Sequence, residues 1–143
     1  MASLFDSFFM VGFECSTQRR KDGVRLDLIR ATAHDTHARR DYERCVELGI
    51  GTARDGLRWH LIETSPGVYD WSSWTPMLEA AAAAGVEVIW DVLHYGSPDF
   101  IRQGGPDFIQ AFAAFAAEAV RVHRAVTGAA ATLCPINEIS FFT

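Results

Sequence analysis

Polar side chains with catalytic or ligand-binding chemistry follow each of four apolar segments of the sequence. They are Glu14 and Gln18, Arg54 and Arg58, Asp91 and His94, and finally Asn137 and Glu138. A carboxyl group that is partly buried has a raised pKa, which general acid/base chemistry requires. Glu138 follows the apolar residues Cys134 and Ile136, a context in which a carboxyl group can be partly buried.

Four predicted strands must position these groups. Apolar runs at 8–13, 50–59, 86–93 and 131–136 have the length of buried strands. Helical spacing predicts helices from Asp35 or Thr36 to Gly49, from about 70 to 84 and over 108–126, whereas the polar segment 16–33 predicts a loop. The order β-α-β-α-β-α-β predicts an α/β fold with a parallel sheet and right-handed crossovers. Such folds place their sites at the carboxyl ends of the strands, where these polar groups fall.

The composition predicts one domain over residues 1–143 and argues against several classes of partner. The chain has 143 residues, 49% of them apolar, which suits a single domain with its own core. The net charge of −5 argues against nucleic-acid and anionic-membrane partners. The sequence contains no apolar run of about 18 residues, so no membrane span is predicted. The N-terminus lacks the basic start of a signal peptide, and the cysteines are widely spaced (Cys15, Cys45, Cys134). We therefore expect reduced thiols and a cytoplasmic protein.

Neither a cofactor nor a metal is predicted from the sequence. No GxGxxG follows the first strand and no GxxxxGK[ST] occurs, so a nucleotide site has no support. His34 and His37 have a metal-like i, i+3 spacing, but two histidines without further ligands do not make a zinc site. We expect a solvated helix start at these two residues.

Several segments together resemble the retaining glycoside hydrolases built on a (β/α)₈ barrel, and most of all the β-glucosidase-like family 1 group. The matching segments are Thr52-Ala-Arg-Asp-Gly-Leu-Arg-Trp59, Leu93-His-Tyr-Gly-Ser-Pro98, Pro135-Ile-Asn-Glu138 and Ser16-Thr-Gln18. The segment from Glu63 to Trp71 is similar to the family's link after strand two. The chain departs from the family at Ile139, where a proline is usual, and at Ser97, where an aromatic residue or leucine is common.

The resemblance implies a role for each matched residue. Glu138 would be the catalytic acid/base. Substrate binding would fall to Asn137, His94, Arg54 and Gln18, with Asn137 donating to the sugar 2-hydroxyl and Arg54 holding a partner nucleophile ionised. Arg58 has the same strand parity as Arg54 and stays an alternative for the site arginine. Trp59, Tyr95 and Trp90 are alternative stacking partners for a sugar ring, and Asp91 is expected to be structural.

The length predicts only the N-terminal half of such a barrel, since a whole one takes about 250 residues. The family's nucleophile is a second glutamate on strand seven, which would lie beyond Thr143. We therefore expect a glycosidase half that is inactive alone. The alternative is a carbohydrate-binding or assembly module, because a half barrel exposes edges through which it can self-associate or complement a second polypeptide.

Overall fold

The computed structural model describes Phe5 and residues 7–142. Eight strands are named in chain order: β1 Met10–Gly12, β2 Thr17–Arg19, β3 Arg25–Asp27, β4 Thr52–Gly56, β5 Glu63–Ser65, β6 Val68–Tyr69, β7 Glu87–Leu93 and β8 Thr132–Ile136. The α-helices are α1 Leu28–Ala31, α2 His34–Glu47, α3 Trp59–Ile62, α4 Thr75–Ala84 and α5 Phe108–Thr127, and two 3₁₀ turns cover Trp71–Ser73 and Ile139–Phe142.

The central sheet has four parallel strands in the order β1-β4-β7-β8. Helix α2 connects β1 to β4, α4 connects β4 to β7, and α5 connects β7 to β8. This sequence of strand and helix units is that of half a (β/α)₈ barrel, so the predicted fold class is confirmed. Of the polar groups named above, Arg54, Asp91, His94, Asn137 and Glu138 consequently meet at one rim of the sheet.

The register of the sheet decides which side chains face the concave side of the half barrel. Arg54 on β4 pairs with Gly12 and Ile89, and Asp91 on β7 pairs with Cys134. Because successive strand residues point to opposite faces, Arg54 and Asp91 lie on the concave side and Asp55 and Trp90 face the helices.

Aromatic side chains fill the layer between the sheet and its helices. Trp59 stacks on Phe115 of α5 with ring centroids 4.9 Å apart, and Trp74 meets Trp90 of β7 edge-on at 5.2 Å. Phe108 and Phe112 approach the same Trp59 ring. The predicted phenylalanine stripe of the last helix is therefore part of the core, where burying each ring contributes about 1.5–3 kcal/mol.

The predicted end of the second strand and the predicted loop over 16–33 were both wrong. The second strand was expected to reach residue 59, but β4 ends at Gly56, and the residues from Trp59 form the short helix α3. The segment 16–33, expected to be a loop, contains the antiparallel hairpin β2–β3 and helix α1. Asp27 begins that helix by accepting a hydrogen bond from the Arg30 amide at 3.1 Å. The hydrophobic pattern of the sequence did not predict this hairpin, because its strands are three residues each and mostly polar.

The start of α2 also differs from the expectation. Ala33, in the left-handed region with φ 58°, precedes the helix, and His34 is its first residue. His34 is buried instead of solvated: its ring stacks on Phe13, its Nδ1 lies 2.7 Å from Asp41 Oδ2, and its Nε2 lies 2.8 Å from Asp55 Oδ2. His34 thus links Asp41 of α2 to Asp55 of β4, and these two carboxylate partners explain why the ring is buried.

Candidate active site

A hydrogen-bonded network joins the ends of three neighbouring strands on the concave side. Arg54 of β4 donates from Nη2 to Asn137 Oδ1 at 2.6 Å and from Nε to Asp91 Oδ1 at 3.1 Å. Asp91 is almost completely buried. Burial pushes the pKa of Asp91 up, but hydrogen bonds from His94, Cys134 and Arg54 outweigh burial and hold the pKa below its usual value. A fixed negative charge therefore orients the arginine.

The carboxyl group of Glu138 is held by the segment that follows β7. The Tyr95 hydroxyl donates to Glu138 Oε2, and Asn137 donates from Nδ2 to the same hydroxyl oxygen at 3.1 Å. The hydrogen bond to Glu138 raises the pKa of Tyr95. Since the Asn137 carbonyl accepts from Arg54, both ends of its amide are in use, and the side chain orientation is fixed by two partners.

Backbone strain coincides with this network. Tyr95 has φ 69° and Glu138 has φ 46°, and these are two of the three non-glycine residues with positive φ in the part of the chain that the structure describes. Such conformations cost about 1–3 kcal/mol each and persist where surrounding contacts enforce them. At Tyr95 one such contact is the Gln103 side chain, which donates to the Tyr95 carbonyl. The strain thus falls on the two residues that present the phenol and the carboxyl group to each other.

His94 lies beside the network and contacts two further groups. Its Nδ1 is 3.1 Å from Cys15 Sγ and 3.3 Å from Asp91 Oδ2, and its ring meets Tyr95 edge-on at 4.9 Å. Cys15 follows β1 and is buried, and burial is the main cause of the strongly raised pKa of its thiol. With that raised pKa and no access to solvent, Cys15 is poorly suited to act as a nucleophile.

Gln18 is the one predicted substrate-binding residue that the structure does not bring into the network. It lies on β2, exposed, and lines a neighbouring cleft of about 470 Å³ together with Arg25, Tyr95 and Ser97. The cleft opens on Tyr95, and the hairpin that carries Gln18 is attached to the site by the hydrogen bond from the Thr17 amide to the His94 carbonyl at 3.0 Å.

The structure answers the alternatives that the sequence left open. Arg58 is buried away from the network, where it donates to Asp35 Oδ2 at 2.8 Å and to the Ser73 carbonyl at 3.2 Å, so Arg54 is the arginine at the strand ends. Trp59 and Trp90 are fully buried among the helices. Of the three aromatic candidates, Tyr95 is the one at the rim.

Sequence reasoning missed the contact of Tyr95 with Glu138 and the convergence of Cys15 on His94. A signal existed for Tyr95, which follows His94 directly in the matched segment. For Cys15, a single cysteine after an apolar run gives none.

Comparison with known proteins supports the fold but shows no family for this chain. No family model matches the chain, and no curated protein does. Among solved structures, the chain is similar to the beta-glycosidase BGL167, with a TM-score of 0.59 and 24% identity over 70% of this chain and 26% of that one. It is also similar to the exo-beta-1,4-mannosidase Op5Man5 from Opitutaceae bacterium strain TAV5 (TM-score 0.57, 20% identity, 76% and 24% coverage). The endoglucanase Cel5A of Pseudomonas stutzeri gives a TM-score of 0.57 at 17% identity, with 69% and 32% coverage.

These three structures share a fold with this chain, and the chain spans about a quarter to a third of the length of each. Identities below 25% carry no conclusion on substrate. Among the described residues, no helix is long and apolar enough to cross a membrane.

Proposed function

We propose that this chain carries the acid/base half of a retaining glycoside hydrolase site of the β-glucosidase-like kind, acting on β-linked glucosides. The observation that carries the proposal is the network at the carboxyl ends of β4, β7 and β8, in which Tyr95 and Arg54 hold Glu138 and Asn137 in place. The shared fold with glycosidase structures supports it.

Each group has a role in this proposal. Glu138 protonates the oxygen of the leaving group and later deprotonates the attacking water. Tyr95 donates a hydrogen bond to Glu138 and so positions its carboxyl group. Asn137 hydrogen-bonds the sugar 2-hydroxyl in place of the Tyr95 oxygen, a contact that strengthens in the transition state. Arg54 stabilises the ionised nucleophile, while His94 and Gln18 contact other hydroxyls.

The second carboxylate of the pair is proposed to come from outside these 143 residues. Retaining enzymes hold their two carboxyl groups about 5–5.5 Å apart, with the nucleophile facing the acid/base across the sugar. Hydrogen bonds from Ser16 lower the pKa of Glu14, so Glu14 does not replace Glu138 as the proton donor. Loss of one member of a catalytic pair costs several orders of magnitude in rate, so the 143-residue chain is expected to bind sugar without turning it over.

Sugar binding by the 143-residue chain tests the proposal directly. Ligand-observed NMR with methyl β-glucoside at millimolar concentration should show binding that weakens at least tenfold in Asn137→Ala, because the variant loses the amide that contacts the 2-hydroxyl. Arg121→Ala, on the exposed side of α5, is the matched control and should bind like the parent chain. Absence of binding, or equal binding by the parent and Asn137→Ala, contradicts the proposal.

Hydrolysis of a chromogenic glucoside is the second test of the proposal. With 4-nitrophenyl β-glucoside, the 143-residue chain should release no more nitrophenol than buffer. A chain that continues beyond Thr143 and supplies the nucleophile should hydrolyse this glucoside and lose the activity in Glu138→Gln, while Glu14→Gln retains it. Hydrolysis by the longer protein that survives Glu138→Gln would remove Glu138 from the acid/base role.

A non-catalytic assembly module is the second candidate function, and exposed apolar surface favours it. β1 and β8 are the two edge strands of the sheet. The side chains of Phe8 and Phe9, just before β1, are 93% and 73% exposed. A second copy of this chain docked on that edge would cover them. Light scattering should then give twice the 15.9 kDa mass of the chain, whereas a monomer argues against this function.

A further inference from the structure

Three different metal-binding side chains converge where β1 and β7 end. Cys15 follows β1, Asp91 belongs to β7, and His94 follows β7. The Cys15 Sγ atom lies 3.1 Å from His94 Nδ1 and 3.4 Å from Asp91 Oδ2, and these two atoms are 3.3 Å apart. The thiol, imidazole and carboxylate thus form a nearly equilateral triangle of donor atoms.

At most two hydrogen bonds form within this triangle. The thiol has one proton, His94 Nδ1 has at most one, and an ionised carboxylate has none. Two protons bridge two of the three edges at most. The third edge then has no hydrogen bond of its own, whereas a cation placed against the triangle, with His94 Nδ1 unprotonated, is attracted to the lone pairs of all three atoms at once.

The triangle fits one tetrahedral ion. Zinc takes sulfur at about 2.3 Å and nitrogen or oxygen at about 2.0–2.2 Å, which separates neighbouring ligand atoms by about 3.4–3.6 Å. Movements of no more than about 0.5 Å convert the observed triangle into one face of that tetrahedron. A sulfur, nitrogen and oxygen set also favours zinc over magnesium or calcium, which prefer oxygen alone.

We propose that Cys15, Asp91 and His94 bind one zinc ion as three of its ligands. On binding, the Cys15 thiol releases its proton to solvent, so a thiolate and a carboxylate balance the two charges of the ion. Arg54 Nη2 lies 2.8 Å from Asp91 Oδ2, so the ion shares this carboxylate with a guanidinium, which weakens binding.

The site has a structural consequence for the network beside it. Coordination through Nδ1 fixes the His94 ring and leaves Nε2 outside the ligand set. Coordination also links Cys15, in the segment after β1, to the end of β7. The zinc proposal goes beyond the glycosidase proposal and does not depend on it, because its test measures metal and not hydrolysis.

Metal content of the untagged 143-residue chain is the test. After removal of metals with a chelator, the protein is dialysed against zinc and its metal measured by mass spectrometry. Cobalt is added to a second sample, since a cobalt–thiolate bond gives a charge-transfer band in the near ultraviolet. We expect one zinc per chain, the cobalt band, and at least a tenfold loss of affinity in Cys15→Ser.

Two other cysteines serve as controls. Cys45→Ser changes a thiol that donates to the Asp41 carbonyl, away from the triangle, and should keep the metal. Cys134→Ser changes a thiol that contacts Arg54 and Asp91 without belonging to the triangle, and should keep the cobalt–thiolate band. His94→Ala, at a partly exposed residue, provides a second ligand variant if circular dichroism shows that Cys15→Ser is unfolded. No bound zinc in the parent chain, or a cobalt band that survives Cys15→Ser and disappears in Cys134→Ser, overturns the proposal.

Discussion

The buried histidine of α2 gives a quantitative test of how this half barrel is held together. His34 contacts Asp41 and Asp55, and Asp55 Oδ2 also accepts a hydrogen bond from Tyr42 at 2.5 Å in a fully buried environment. His34→Gln removes the cation and leaves the Asp55 carboxylate short of one partner. Removing one partner of a buried ion pair costs about 3–5 kcal/mol. That is a large fraction of the roughly 5–15 kcal/mol by which domains are stable.

The loss should depend on pH in a definite direction. Burial lowers the pKa of His34, but the hydrogen bonds and charges of Asp55 and Asp41 outweigh burial, and the net result is a raised pKa. A raised pKa in the folded state stabilises the protein fully below the unfolded pKa of about 6.5. The contribution then falls as pH rises through the folded pKa of His34, so His34→Gln should cost most at pH 6 and least at pH 9.

Urea unfolding followed by tryptophan fluorescence measures this difference. With a slope of about 1–3 kcal/mol/M, the expected loss moves the midpoint by at least about 1 M at pH 6. His37→Gln is the matched control, because it makes the same change at an exposed position of the same helix. An equal loss at pH 6 and pH 9, or a loss no larger than that of His37→Gln, would refute the assignment of a charged His34.

Three further substitutions test the packing around the site and the core. A Cβ atom on Gly96 would lie 1.6 Å from Thr17 Oγ1, so Gly96→Ala should lower the free energy of unfolding by about 1–3 kcal/mol. Gly12→Ala places its Cβ in open space and should be near neutral in the same urea experiment. Phe115→Ala removes the buried ring that stacks on Trp59 and should cost about 3–5 kcal/mol, and a loss below about 1 kcal/mol would contradict its place in the core.

The fold was predictable from the sequence because its signals are local. Apolar runs of strand length alternate with helical spacing, and parallel connection follows from that order. The same reasoning placed Arg54, Asn137 and Glu138 on one rim, and the network joins Asn137 to each of the other two through hydrogen bonds or through Tyr95. Strand order and strand-end position therefore carried most of the information on which residues meet.

The remaining features depend on contacts between distant residues and have no local pattern. His34 was expected in solvent because a histidine at a helix start is usually exposed, and only its tertiary partners, the carboxylates of Asp41 and Asp55, account for its burial. Arg58 shares its predicted parity with Arg54, but the strand stops two residues earlier and Asp35 binds its guanidinium. In both cases ion pairs decided the position of a side chain that the local sequence pattern placed elsewhere.

The alternation of β4 separates the groups that hold the fold from those that form the site. Asp55 points to the helices and joins His34 and Tyr42, while its neighbour Arg54 points to the concave side and joins Asp91 and Asn137. Because one strand carries both sets, fixing Asp55 against α2 also fixes the backbone from which Arg54 extends. His34→Gln should therefore weaken sugar binding indirectly, by loosening the strand that carries Arg54. Asn137→Ala should weaken sugar binding directly, in a chain that circular dichroism shows to be folded.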